Sequence, residues 1–71
     1  MYALNIAKKG EVLQTVMFES VKTDKEIKVV ADEMSAQFTD GTIIIFKGED
    51  FQPYLKLEIK NKQKSDWIEL Q

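Results

Sequence analysis

The sequence predicts a small α+β domain, an antiparallel twisted β-sheet of about five strands with one amphipathic helix packed on one face, in the order β-β-α-β-β-β. Three observations predict it. Apolar residues alternate with period two near both ends of the chain, a single stripe of helical period runs from Ile27 to Phe38, and isolated glycines mark the turns between short β-rich runs. Consecutive strands should pair antiparallel, with the helix lying across one face of the sheet. With 71 residues there is room for one domain, 1–71, and one thin core.

The first strand is Tyr2 to Lys8, with Tyr2, Leu4 and Ile6 on one face and Ala3, Asn5 and Ala7 on the other. Lys9-Gly10 supplies a turn in which Gly10 takes positive φ, and a β-rich run from Val12 to Val21 returns alongside as the second arm of a hairpin. Thr23-Asp24-Lys25-Glu26 fits a capping box and starts the helix. Ile27, Val30, Ala31, Met34 and Phe38 then form its apolar stripe, and Asp24, Lys28 and Asp32 are spaced for i,i+4 ion pairs on the outer side. Asp40-Gly41 is expected to end the helix, Gly41 serving as a left-handed residue just past the last turn.

Thr42 to Lys47 contains Ile43-Ile44-Ile45-Phe46, a short β-branched run apolar on both faces and the expected sheet centre. Gly48-Glu49-Asp50 makes a polar turn. Leu55, Leu57 and Ile59 alternate with Lys56, Glu58 and Lys60 in a strand with one wet face, and Pro53 sits at its tolerated first position. Asn61 to Ser65 reads as a polar loop, and Asp66 to Leu70 as a last short strand.

Residue types that are missing narrow the function. The chain has no cysteine and no histidine, and every cation is lysine, so disulfides, thiolate or imidazole metal sites and bidentate arginine clamps are ruled out. The serines, threonines, tyrosines and lysines sit in no activating motif, and Asp32-Glu33 and Glu49-Asp50 are neighbours in sequence that do not converge on a substrate. The loop around Glu49 and Asp50 lacks the spacing of a calcium site, and the three isolated glycines form no phosphate cradle. A non-enzymatic protein without cofactor or metal is expected. No apolar run approaches the ~20 residues of a membrane span, and the start lacks a secretory pattern, so the expected location is the cytoplasm, away from membranes.

One helix covers one face of such a sheet. The second strand is nonetheless apolar on both faces, with Val12, Val16 and Phe18 on one side and Leu13, Met17 and Val21 on the other, and the Ile43–Phe46 strand is two-sided as well. Apolar groups on an uncovered face call for a second molecule. The expected function is therefore a protein-binding module acting as a homodimer, with Leu13, Met17, Val21, Ile44 and Phe46 on the sheet face and Asp32 and Glu33 on an acidic helix side as its interface. The competing arrangement is a curled sheet, or a bulge near Gln14-Thr15 that shifts the strand's phase and hides both sets in one core.

Charge is unevenly spread within a net of −2: residues 24 to 50 hold seven acids against three lysines, whereas residues 51 to 64 hold four lysines against one acid. Tyr54, Lys56, Lys60, Lys62 and Lys64 thus offer an alternative function, a lysine-rich β-hairpin tracking a nucleic-acid backbone, with Tyr54, Lys56 and Lys60 sharing the wet face. Against it stand Glu58 in the middle, the absence of arginine and an acidic isoelectric point near 5.0. The all-lysine, isoleucine-rich usage is that of AT-rich genomes such as low-GC bacteria and their phages. By that association the expected binding role is inhibition of a host or defence protein, of the kind carried by phages and mobile elements.

Overall fold

A computed structural model describes residues 1–70. Strands β1 (Tyr2–Lys8) and β2 (Glu11–Phe18) are followed by helix α1 (Asp24–Ser35), then β3 (Gly41–Lys47), β4 (Gln52–Lys60) and the two-residue strands β5 (Gln63–Lys64) and β6 (Ile68–Glu69). All pairings are antiparallel, in the order β2-β1-β3-β4-β5, and β6 also pairs with β4. The small α+β fold read from the sequence is the fold observed.

The β1–β2 hairpin turns on Lys9 and Gly10, both with positive φ (54° and 79°), as a two-residue loop matched to strand twist requires. The helix starts behind Thr23, whose hydroxyl accepts from the backbone N–H of Glu26 at 3.2 Å, as the capping box demands. The return half of the box differs, because the Glu26 carboxylate accepts from the Thr23 hydroxyl. Helix α1 ends at Ser35, before Phe38, where the N–H groups of Gln37 and Phe38 bond back three residues and tighten the chain.

Gly41 is not the helix cap. It opens β3 with φ of 146°, and a Cβ there would lie 2.8 Å from the carbonyl oxygen of Ala7 on β1. Close backbone approach, rather than a left-handed cap, is what requires glycine at this position.

One face of the sheet carries the core. Leu4, Ile6, Ile43 and Ile45 are fully buried there, joined by Leu55, Leu57 and Ile59 of β4, and Ile27 and Ala31 of α1 press onto them. Each of these leucines and isoleucines contributes about 1.5–3 kcal/mol by leaving water. Met34 and Phe38 pack at the edge of this cluster, which makes the Ile27–Phe38 stripe the inner surface of the helix connection. Asp24 and Asp32 pair with Lys47 and Lys64 rather than with Lys28, so the expected outer-face ion pairs give way to contacts between helix and sheet.

The two sheet edges are built differently. Along the outer side of β4 runs an interrupted strand, β5 then β6, where a loop and a single final strand were expected. Asn61 and Lys62 form the turn into it with positive φ (53° and 66°). Between β5 and β6 the ladder is carried on by Ser65, whose N–H donates to the Glu58 carbonyl while its Oγ accepts from the Glu58 N–H at 2.9 Å. On the other side of the sheet, β2 has no strand beyond it among the described residues.

Candidate protein-binding face

Two bulges decide which side chains reach the uncovered face. In the β1–β2 ladder Ile6 pairs with Gln14 and Ala7 with Val12, which leaves Leu13 as the extra residue. A bulge next to the expected Gln14-Thr15 position is therefore present, but it does not hide the apolar groups in one core. It turns Val12 onto the uncovered face with Met17, while Val16 and Phe18 stay on the helix side. Val12, Leu13 and Met17 are each more than half exposed.

The second bulge lies in the β3–β4 ladder, where Ile45 pairs with Leu55 and Phe46 with Pro53, so that Tyr54 is the extra residue. Tyr54 points to the helix side, not to the wet face of Lys56 and Lys60 as its spacing suggests. Its hydroxyl donates to Asp24 on the first turn of α1. Tyr2 donates to the other oxygen of the same carboxylate, and Lys47 Nζ lies 3.2 Å from Asp24 and 4.6 Å from the centre of the Tyr54 ring.

Hydrogen bonds from Tyr2 and then Tyr54, aided by Lys47, hold the Asp24 carboxyl down at about 2. Burial first, and the bond to Asp24 second, push the Tyr2 phenol up to about 12, and the bond to Asp24 raises Tyr54 as well. The cluster joins the helix start to the ends of β1, β3 and β4. Among the described residues, no three acidic side chains are grouped closely enough to hold a metal ion.

Uncovered-face positions line up in rows across the strands. Met17, Ala3 and Phe46 form one row; Thr15, Asn5, Ile44, Lys56 and Ile68 form the next. Ala3 is only 5% exposed although no helix lies over it, because Met17, Phe46 and Phe51 stand around it. Together with Asn5 and Thr15 they enclose a depression of about 210 Å³, apolar except for the hydrogen bond from Thr15 Oγ1 to Asn5 Oδ1 at its rim.

The expected interface residues thus divide. Leu13, Met17, Ile44 and Phe46 belong to the β2 bulge and the uncovered face. Val21 does not: it follows β2 and packs against the buried cluster beneath the helix. Asp32 and Glu33 lie on the opposite layer, exposed beside a broad groove between α1 and Trp67. Phe51, Ala3 and Ile68 join the face without having been expected there. Phe51 is placed by a positive φ of 49° after the Gly48–Asp50 turn, and an aromatic flanking a polar turn was the available signal.

The lysines of the alternative site are dispersed. Lys56 lies 3.7 Å from Glu58, Lys64 pairs with Asp32 on the helix, and Lys60 and Lys62 stand exposed around the β4–β5 turn, with Tyr54 on the other side of the sheet. No helix among the described residues is long and apolar enough to cross a membrane. No protein-family model matches the chain, and neither a curated protein nor a solved structure matches it.

Proposed function

We propose that the chain is a non-enzymatic protein-binding module that engages another protein through the uncovered sheet face and acts as a homodimer. The observation that carries this reading is the apolar depression over Ala3, walled by Met17, Phe46 and Phe51 on a face that the single helix does not cover. A concave apolar spot of that size accepts one large side chain of a partner, the usual form of an interface anchor. Around it the exposed Val12 and Ile68 extend the apolar surface, and Lys56, Glu58 and Asn5 supply polar contacts on the same face. Within this class, inhibition of a host or defence protein by a phage- or mobile-element-borne domain is the role suggested by the lysine-only, isoleucine-rich composition.

The test is affinity capture from the native cell with the wild-type chain, Met17→Glu and Asp32→Lys, each checked for folding by circular dichroism. Proteins retained by the wild type and by Asp32→Lys, and lost with Met17→Glu, support the reading. Equal retention by all three overturns it.

A further inference from the structure

The two edges of the sheet are protected to different degrees. The β4 side ends in two-residue strands that are broken at Ser65–Trp67 and studded with Lys62, Lys64, Asp66 and Glu69. The β2 side is eight residues long and, after Glu11, has no charge and no proline from Val12 to Phe18. Natural sheets blunt a free edge with lysine, proline or very short strands, and β2 has only its bulge at Leu13. We propose that β2 pairs antiparallel with β2 of a second copy, about a two-fold axis at Thr15, and so forms one continuous sheet. This names the contact that makes the homodimer of the proposed function.

The register follows from the side-chain faces. With the bulge taken as one position, Thr15 lies opposite Thr15 of the copy, Gln14 opposite Val16, Val12 opposite Met17, and Glu11 opposite Phe18. Each residue then meets one on its own side of the sheet: Val12, Thr15 and Met17 on the uncovered face, Glu11, Gln14, Val16 and Phe18 on the helix face.

The ends of the strand are complementary in charge in this register. The Lys9–Gly10 turn of each copy comes beside Glu19 of the other, twice per dimer, and both side chains are exposed in the single chain. Both helices then lie on one side of the joined sheet. The two depressions over Ala3 open on the other side, next to a seam of Val12 and Met17 from each copy.

Because the chain has no cysteine, a single introduced one reports the axis directly. Residues directly opposite in an antiparallel pair have Cα atoms about 4.5–5.5 Å apart, within disulfide range. Thr15→Cys is expected to give a covalent dimer on oxidation, reversed by dithiothreitol, while Ile44→Cys, two strands away, stays uncrosslinked. In the wild type, sedimentation should show a dimer and hydrogen exchange of the β2 amides should slow as concentration rises. Glu19→Lys is expected to weaken the dimer about tenfold, and Lys9→Glu combined with Glu19→Lys to restore it.

A dimer that crosslinks through Ile44→Cys and not Thr15→Cys, with β2 amides unprotected, overturns edge pairing and leaves the homodimer standing. A chain that sediments as a monomer at high concentration overturns both, without bearing on partner capture by the Met17 face.

Discussion

Met17 and Phe46 flank Ala3 on the uncovered face of the sheet, each its direct cross-strand partner, one from β2 and the other from β3. The small residue between two large ones makes a concave spot on what would otherwise be a flat β-surface. Because Met17 is 56% exposed, its removal takes little from the core. Met17→Glu is expected to change the unfolding stability of the monomer by no more than about 0.5 kcal/mol, read by urea titration at a concentration low enough to keep both chains monomeric. A loss above about 2 kcal/mol would place Met17 in the core instead.

Asp24 fastens the helix to the sheet and should carry a pH signature. Its carboxyl is held near 2 in the folded chain, against an ordinary value of 3.8. The depressed value means that its contribution is fully present above about pH 4 and is lost as pH falls toward 2. Since the side chain is 37% exposed, solvent screens the cluster, and Asp24→Asn is expected to cost about 1 kcal/mol at pH 7. That difference from the wild type should shrink between pH 4 and pH 2 in denaturant titrations. A difference independent of pH over that range would remove the charged carboxylate from the account.

Gly41 tests the contact between β1 and β3. A Cβ 2.8 Å from the backbone oxygen of Ala7 has nowhere to go without moving a strand, so Gly41→Ala is expected to destabilise by about 1–3 kcal/mol. Gly10→Ala meets no atom within 4 Å, and its cost should come from positive φ alone, about 1 kcal/mol. Thermal unfolding of the two variants side by side checks the order; Gly10→Ala as the more damaging of the pair would contradict it.

Lysine dispersal sets an expectation for nucleic acid. Phosphate contacts weaken steeply with salt. With Lys56 and Lys64 engaged by Glu58 and Asp32, a gel-shift titration at two salt concentrations is expected to show no salt-sensitive complex. A complex that forms at low salt and is abolished when Lys60, Lys62 and Lys64 become glutamine would favour the nucleic-acid function.

Local patterns were legible in the residues and phase shifts were not. The alternation of Tyr2–Lys8, the Thr23 cap and the Ile27 stripe each depend on neighbours within a few positions, and each appears as read. Leu13 and Tyr54 are extra residues in their ladders, and a bulge is a property of two strands together, so the alternation of either strand alone misplaces what lies beyond it. Alternation alone groups Val12 with Val16 and Phe18, and Tyr54 with Lys56 and Lys60, whereas the two bulges put each on the opposite face. Ser65 presents a similar difficulty: its hydroxyl stands in for ladder hydrogen bonding opposite Glu58, a role visible only once β4 is beside it. The candidate face was legible as an excess of apolar residues over what one helix covers, while Ala3 and Phe51 required the fold to bring them to Met17.

The most direct measurement is site-specific photocrosslinking in the native cell, with a photoreactive phenylalanine analogue at Phe46 on the uncovered face and, in a separate chain, at Val29 on the outer side of the helix. Adducts to a protein should form from position 46 and be absent from position 29. Adducts from position 29 alone, or none from position 46 while the chain is folded and expressed, would contradict a binding role for the uncovered sheet face.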